Sequence, residues 1–161
     1  RCVQETVIEV IMIDDMFTEE EKQAALNQAY RFLAQRFLSS YELRQKMKRK
    51  QIPSDLIDYV EERLIYYDYI NDERLAKQVV SYLMREQKYG AYLIKQKMKQ
   101  RGLDVPHDIE NYDEMAAAFR IVDKKYGESI SDIPRIKIMN FLKNRGFSMS
   151  TITKVCEAYQ S

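Results

Sequence analysis

One motif occurs twice in this 161-residue chain, and it restricts the possible folds more than any other feature. Residues 41–52 read YELRQKMKRKQI, and residues 92–103, which begin 51 positions later, read YLIKQKMKQRGL. Each copy contains a tyrosine, an apolar residue, the run QKMK and further basic residues. A motif repeated at such an interval is typical of a repeated supersecondary unit. We therefore expect a fold assembled from similar units.

Composition and helix signals predict that these units are all-α. Four glycines and three prolines are too few for a turn-rich sandwich or barrel, whereas the abundant Lys, Glu, Gln, Leu, Ala and Met favour helices. Thr18 and Glu21 form a capping-box signature at the start of the first predicted helix. Apolar positions then recur at intervals of three or four residues: Leu26, Ala29, Tyr30, Leu33 and Phe37.

Two shorter helices are predicted to complete the first unit. Ser39 and Glu42 form a second capping box, and Pro53 ends the helix that follows. We expect Leu43 and Met47, one turn apart, to be buried in that helix. Ser54 is predicted to cap a third helix, whose buried stripe is Leu56, Ile57, Val60, Leu64 and Tyr67.

A second unit begins at Asn71, a favourable N-cap residue. Its long helix has a predicted buried stripe of Leu75, Val79, Tyr82 and Leu83. The short helix that follows carries Ile94 and Met98 on one face and is predicted to stop at Gly102, the residue type that most easily adopts a left-handed conformation. Pro106 suits the first turn of a brief third helix.

A third unit begins near Tyr112, and its resemblance to the first two is weaker. Residues 127–132 are predicted to be loosely structured. The run Arg145-Gly146-Phe147 corresponds to Arg101-Gly102-Leu103 of the second unit. The sequence therefore indicates a third copy by spacing and by this helix stop.

These signals divide the chain into three tandem three-helix repeats, 18–70, 71–111 and 112–161, which we expect to stack into an elongated, curved array. Residues 1–17 form a separate N-terminal segment. The alternation within residues 3–9 fits a short half-exposed strand, but irregular structure or the end of a preceding element fits equally well. The chain starts at Arg1, so it is compatible with a fragment of a longer protein.

The formal net charge of +1 conceals a strong segregation of charge. Residues 31–51 have seven basic residues against one acid, and residues 74–102 have eight against one. Residues 52–73, in contrast, have seven acids against one arginine, and residues 103–119 have five acids and no Lys or Arg. Residues 120–145 are again basic. Such alternating blocks predict one basic face instead of a uniformly basic surface.

The residues that could support catalysis do not form a constellation. No GxxxxGK[ST] or GxGxxG run occurs, and the single histidine, His107, has no cysteine cluster beside it, because Cys2 and Cys156 lie at opposite ends of the chain. The acidic clusters at 14–15 and 71–73 precede helices, where acids favourably meet unpaired amides. We therefore expect a non-enzymatic protein without metal or cofactor. No apolar run is long enough to span a membrane, and we expect a cytoplasmic location.

The chemistry that remains lies in the basic short helix of each unit. In a structural interpretation, Lys and Arg stabilise the last helical turn and pair with the acidic third helix. In a functional interpretation, the stacked units align these helices as a groove for a polyanion or for an acidic protein surface. The pattern of residues leaves both interpretations open.

The candidate binding residues are the basic side chains of the three short helices and their flanks: Arg36, Arg44, Lys46, Lys48, Arg49, Lys95, Lys97, Lys99, Arg101, Lys137, Lys143 and Arg145. Tyr41, Tyr89 and Tyr92 lie near these helices and have rings suited to stacking on bases, but their helical spacing favours core positions.

Two motifs of the second unit resemble the RecX family, the bacterial regulators of the recombinase RecA. Residues 69–76 read YINDERLA, similar to the family signature Y-[IL]-[DN]-D-x-x-[FY]-A. The run from Gly90 to Leu103 follows the pattern G-xxx-I-xxx-L-xx-[KR]-G-[IVL], and the run from Leu33 to Met47 resembles L-xx-R-xx-S-xx-E-L-xxx-L. The resemblance covers about residues 29–159. It departs from the pattern at Leu75, where an aromatic is usual, and at Gln51, where a glycine is usual.

The resemblance implies a curved helical module that lies in the groove of the RecA filament on DNA. Such a module limits filament growth, ATP hydrolysis and strand exchange, and so modulates DNA repair and recombination. It also implies non-specific contact with single- and double-stranded DNA, and we expect a monomer. Two alternatives stay open: a helix-turn-helix DNA reader that uses one short helix in the major groove, and a helical scaffold that binds only protein.

Overall fold

A computed structural model describes residues 16–160, and every regular element in that range is a helix. The α-helices are α1 (Glu19–Gln35), α2 (Ser40–Arg49), α3 (Ser54–Tyr66), α4 (Asp72–Glu86), α5 (Ala91–Gln100), α6 (Glu114–Tyr126), α7 (Arg135–Asn144) and α8 (Met149–Gln160). Two short 3-10 helices, His107–Asn111 and Gly127–Asp132, precede and follow α6. The predicted all-α fold is confirmed for this part of the chain. The strand-like alternation at residues 3–9 lies outside the described residues.

The chain contains two compact units, which meet in sequence between Leu75 and Ala76, within α4. In the first unit, α1, α2 and α3 pack pairwise against one another. Their core includes Ala29, Leu43 and Ile57, all of which have no exposed surface. Burying a side chain such as Leu or Ile contributes about 1.5–3 kcal/mol, so these contacts hold three helices that are too short to persist alone.

The second unit has its own core. Helices α6 and α7 each pack on α8, and the 3-10 helix Gly127–Asp132 contacts α6 and α8. Val122, Ile138 and Ile152, one from each α-helix, are fully buried in this core. The prediction that residues 127–132 are loosely structured is wrong, because the buried side chain of Ile130 holds this segment against the core.

Two tyrosines that we predicted to be buried, Tyr67 and Tyr82, are exposed, and so are Tyr30 and Phe37, which match the apolar spacing of the first helix. In α4 the buried positions are Leu75, Ala76, Val80 and Leu83, so the ring of Tyr82 lies on another side of the helix. Tyr67 follows the last residue of α3 and therefore leaves the predicted stripe, whereas the other four members of that stripe are buried as predicted.

Both predicted capping boxes are present. The backbone N–H of Glu21 donates to Thr18 Oγ1 at 3.1 Å, and the N–H of Glu42 donates to Ser39 Oγ at the same distance. In each box the glutamate side chain in return accepts from the N–H of the capping residue. The predicted cap at Ser54 is wrong, because Pro53 is the N-cap residue and Ser54 is already the first residue of α3.

The three short helices α2, α5 and α7 all end in the same type of hydrogen-bonded turn. The residue after the C-cap is Gln51, Gly102 or Gly146, and each has a positive φ, of 61°, 71° and 82° respectively. The following N–H, of Ile52, Leu103 or Phe147, donates back to the carbonyl of a buried residue five positions earlier. This is the Schellman pattern, and its third occurrence shows that α7 ends in the same way as α2 and α5.

Candidate functional site

The inner faces of α2, α5 and α7 determine which side chains point outward. Each helix buries a pair of apolar residues one turn apart, and all six have no exposed surface: Leu43 and Met47, Ile94 and Met98, and Ile138 and Leu142. Because residues four apart share a helical face, the basic residues between and beyond these pairs lie on the flanks and the outer side.

The starts of α2 and α5 are each held by an acid from the next long helix. The N–H of Ser40 donates to Asp72 Oδ1 at 2.9 Å, and the N–H of Ala91 donates to Glu114 Oε1 at 3.0 Å. Asp72 begins α4, and Glu114 begins α6. The first N–H groups of a helix have no partner within it, so these carboxylates satisfy a donor and meet the positive end of the helix dipole.

Glu114 connects three helices of the second compact unit, residues 76–161: α5, α6 and α8. Its Oε1 accepts from the Ala91 N–H of α5. Its Oε2 accepts from Thr151 Oγ1 at 2.6 Å and from Ser148 Oγ at 2.8 Å, at the start of α8. Burial alone would raise the pKa of this carboxyl, but the hydrogen bonds from Thr151, Ser148 and the Ala91 N–H outweigh it, so the pKa is lowered. This carboxylate supports α5 and is not part of its outer surface.

Two predicted binding residues are engaged in ion pairs. Arg44 Nη1 lies 2.7 Å from Asp58 Oδ1 and 3.1 Å from Glu61 Oε2, both on α3. The hydrogen bond with Asp58 raises the pKa of Arg44, and burial opposes it. Arg36 pairs with Glu42 at 3.2 Å. For Arg44 the geometry favours the structural interpretation, because the guanidinium is directed towards the acidic third helix.

Three more of the predicted residues cover aromatic rings. Lys46 Nζ lies 5.4 Å from the centre of the Phe32 ring, and Lys97 Nζ lies 4.7 Å from that of Tyr89. The guanidinium carbon of Arg145 lies 5.3 Å from the centre of the Phe141 ring. Lysine and arginine stems pack on apolar surface in this way while the charged group stays in contact with water, so these cations remain at the surface.

The other predicted residues have the following positions. Arg101 is half-buried, and the rest are exposed: Lys48, Arg49, Lys95, Lys99, Lys137 and Lys143. Lys48 and Arg49 belong to α2, Lys95 and Lys99 to α5, and Lys137 and Lys143 to α7. Each short helix therefore presents at least two exposed cations.

The outer face of each short helix also carries a large exposed side chain. Tyr41 is 50% exposed and Tyr92 is 64% exposed, so their predicted core positions are wrong. In α7 the corresponding residue is Ile136, which is 62% exposed. Tyr89, the third tyrosine considered, is half-buried beneath Lys97.

These large side chains belong to a pattern that is the same in the three helices. We call it the outer stripe, and its members are four and then three residues apart: Tyr41, Gln45 and Lys48; Tyr92, Gln96 and Lys99; Ile136, Asn140 and Lys143. This spacing puts each set on one helical face. In α5 the Gln96 side-chain amide donates to Tyr92 Oη at 2.7 Å, which fixes the ring beside the lysine. The alignment of the two copies already contained this signal.

Residues 16–160 hold no group of three His, Cys, Asp or Glu side chains arranged to bind a metal ion. Within the same range, no helix has the length and apolar character that a membrane crossing requires.

The fold and this surface define a helical-repeat protein whose short helices carry cations and large exposed side chains outward. Two family profiles match it: that of the RecX first three-helix domain over residues 25–64, and that of the RecX second three-helix domain over residues 71–107. Together with the relatives below, they show that the chain belongs to the RecX family.

Relatives named "Regulatory protein RecX" match along most of the chain. The protein of Bacillus pumilus is 28% identical, over 94% of this chain and 61% of its own length. That of Prosthecochloris aestuarii is 29% identical, over 87% of this chain and 96% of its own length. The chain thus spans less than two thirds of the Bacillus protein. The crystal structure of RecX from Lactobacillus salivarius has the same fold, with a TM-score of 0.69 and 22% identity over 87% of this chain and 97% of that one.

Proposed function

We propose that this protein is a non-enzymatic regulator of the RecA recombinase, which it restrains by binding in the groove of the RecA filament on DNA. The observation that carries the proposal is the match of both RecX three-helix domains, over residues 25–64 and 71–107, together with relatives named regulatory proteins. In this proposal the protein limits filament growth, ATP hydrolysis and strand exchange, and acts as a cytoplasmic monomer.

The proposed array consists of the three repeats 18–70, 71–111 and 112–161. The repeated Schellman stop after α2, α5 and α7 supports this division, because each repeat then contains one such helix with the same buried pair and the same outer stripe. A repeat architecture suits a partner that is itself a polymer, since successive repeats can meet successive subunits or nucleotides.

The proposed contact with DNA is made by the outer stripes. Exposed lysines such as Lys48 and Lys99 neutralise phosphates without regard to sequence, so single- and double-stranded DNA are both bound. Tyr41 and Tyr92 add rings on which the unpaired bases of a single strand can stack. The third stripe has Ile136 in place of a tyrosine and therefore contributes charge without a stacking ring.

The presence of cations in all three stripes favours this proposal over a helix-turn-helix reader, because a reader concentrates its base contacts in one recognition helix. A footprint on one defined duplex, absent from random duplexes of equal length, would support the reader instead.

The proposal is tested by titrating the purified protein into RecA on single-stranded DNA while ATP hydrolysis is followed. We expect the rate of hydrolysis to fall at ratios of protein to RecA at or below equimolar. The absence of inhibition at every ratio would contradict the proposal. A matched control is the protein with Lys48, Lys99 and Lys143 changed to Gln, which retains the fold and should inhibit only at higher concentrations.

A further inference from the structure

The turn between α3 and α4 presents an aromatic surface that the outer stripes do not include. We call it the tyrosine patch, and its members are Tyr30, Ile65, Tyr66, Tyr67 and Tyr69. Tyr66 is 79% exposed, Tyr69 is 54% exposed, and the other three side chains are also exposed. The rings are paired edge to face, Tyr30 with Tyr69 at 5.5 Å and Tyr66 with Tyr67 at 5.0 Å between ring centres.

This surface is held in place by the backbone beneath it. Leu64 and Ile70, on either side of the patch in sequence, are buried, and the N–H groups of Tyr69 and Ile70 both donate to the carbonyl of Leu64, at 2.8 and 3.2 Å. Asp68 has a φ of 62° and pairs with Arg74 at 2.6 Å. Because the turn is already ordered, the patch would lose little conformational freedom when a partner binds.

Clustered exposed aromatic side chains of this kind are typical of protein interfaces. Tyrosine provides a large, amphipathic contact area with few rotatable bonds, and it is enriched among the residues that dominate binding energy. A single exposed tyrosine requires no explanation. Four tyrosines and an isoleucine, at the end of α3, in the turn that follows it and in α1, form a patch that folding alone does not account for.

The charges around the patch indicate what it binds. Residues 52–73, which include every member of the patch except Tyr30, carry seven acids against the single Arg63. Asp58 and Glu61 pair with Arg44, and Asp68 pairs with Arg74, but the net charge of the segment stays negative when both arginines are included. Nucleic acid is repelled by such a surface, whereas Lys and Arg are attracted to it. The rings already accept a cation within the protein, since the Arg63 guanidinium carbon lies 5.2 Å from the centre of the Tyr67 ring.

We propose that the tyrosine patch docks a segment of a partner protein that is rich in Lys and Arg and contains apolar side chains. The apolar side chains pack on the rings, and the cations meet the carboxylates of α3 and the faces of the tyrosines. Resting on the proposed function, we assign this basic segment to the recombinase, so that the patch contacts protein while the outer stripes contact DNA.

The test compares two double variants that each remove two exposed tyrosines. The patch variant is Tyr66→Ser with Tyr69→Ser, and the stripe variant is Tyr41→Ser with Tyr92→Ser. Each protein is titrated with three probes: a helical peptide with lysine on one face and leucine on the other, RecA filaments, and a single-stranded oligonucleotide. Equal thermal unfolding midpoints of the variants and the parent protein show that the fold is retained.

We expect the patch variant to bind the peptide and the filaments at least about tenfold more weakly, with unchanged affinity for the oligonucleotide. The stripe variant should bind the oligonucleotide more weakly and the peptide with unchanged affinity. Unchanged peptide affinity of the patch variant would overturn the docking proposal. The proposal would also be overturned if the patch variant lost oligonucleotide binding or self-association instead of peptide binding. NMR shifts of residues 65–69 in the parent protein on addition of the peptide give a second readout that does not depend on the variant, and their absence would also overturn it.

The same experiment separates the two proposals. If the parent protein neither binds nor inhibits the recombinase but its binding of the peptide still requires the patch, the proposed function fails and the docking surface stands. If the protein inhibits the recombinase and the patch variant does so equally well, the proposed function stands and the docking surface fails.

Discussion

Gly90 and Gly146 meet backbone to backbone. The N–H of Gly90, the N-cap residue of α5, donates to the carbonyl of Arg145 at 2.8 Å, and a β-carbon added to Gly90 would overlap the carbonyl of Gly146 and the nitrogen of Phe147. This contact joins the start of α5 to the end of α7. It also explains why a residue without a side chain caps α5, and why Glu114 supplies the missing acceptor from α6.

The first prediction concerns this contact. Gly90→Ala should lower the free energy of unfolding by about 3 kcal/mol or more, because the neighbouring atoms are backbone and cannot move aside cheaply. Urea unfolding followed by circular dichroism measures the change. Gly102→Ala is the control, since it tests only a positive φ of 71° and should cost about 1–2 kcal/mol. Equal effects of the two substitutions would contradict the close approach.

The second prediction concerns Gln51, which has a left-handed backbone conformation. Glycine occupies the corresponding position after the other two short helices, as Gly102 and Gly146. Gln51→Gly should raise the free energy of unfolding by about 1 kcal/mol, because φ is 61° and glycine adopts it without strain. The control is Gln78→Gly in α4, where the same change should instead lower stability by about 1 kcal/mol. Destabilisation by both changes would show that Gln51 is not strained.

The third prediction follows from the lowered pKa of Glu114. A depressed carboxyl pKa in the folded state contributes stability at pH values above the unfolded value, near 4.5, and that contribution is lost as the pH falls through the folded value. Glu114→Gln should therefore reduce the loss of stability between neutral pH and about pH 3. Glu114→Ala should cost about 2–3 kcal/mol at neutral pH, since it leaves Thr151 and the Ala91 N–H without this acceptor.

Unfolding by urea across this pH range measures both effects. Asp108, an acid in the exposed 3-10 helix, provides the control as Asp108→Asn. A pH profile of Glu114→Gln identical to that of the parent protein would contradict the assignment.

The fourth prediction separates Arg44 from Lys48, which lie on the same helix. Arg44→Gln should lower stability by up to about 1 kcal/mol and hardly change DNA affinity, because Arg44 is paired with Asp58 and Glu61. Lys48→Gln should leave stability unchanged and reduce the slope of log K against log salt by about 0.7–0.9. Fluorescence anisotropy at several salt concentrations measures the slope. A reversal of the two effects would contradict the assigned roles.

The fifth prediction concerns the outer stripes. Tyr41→Ala and Tyr92→Ala should each weaken binding of single-stranded DNA by about 1–3 kcal/mol, whereas the Phe variants should bind almost as the parent does, because stacking requires the ring and not the hydroxyl. Ile136→Ala is the control at the corresponding position of α7 and should have little effect. Equal losses for the Ala variants at all three positions would indicate apolar contact in place of stacking.

The helices and their ends were largely accessible from sequence, because caps and stops depend on local residues. Thr18, Ser39 and Gly102 act as predicted. Helical periodicity was a less reliable guide to the burial of tyrosine. The ring counts as apolar in a sequence pattern, but the side chain is also stable in contact with water. Tyr41 and Tyr82 therefore matched an apolar stripe although they are exposed.

The division among the basic residues was not accessible, because it depends on contacts between separate helices. Nothing local distinguishes Arg44 from Lys48, yet one is paired with α3 and the other is exposed. In the same way, Asn71, Asp72 and Glu73 were interpreted as capping residues of their own helix. The additional hydrogen bond that Asp72 accepts from the Ser40 N–H, at the start of α2, is visible only in three dimensions.

The short helices α2 and α5 are each stabilised at three places. A carboxylate of the following long helix binds the first turn, a Schellman turn ends the helix, and a pair of buried apolar residues packs between the two ends. None of these supports uses a side chain of the outer stripe, since Lys48 and Lys99 contribute only their backbone carbonyls to the Schellman turns. Mutations there can accumulate over evolutionary time without unfolding the protein, and an engineer can rewrite the same positions. Related chains are thus free to acquire different preferences for their ligand on an unchanged scaffold.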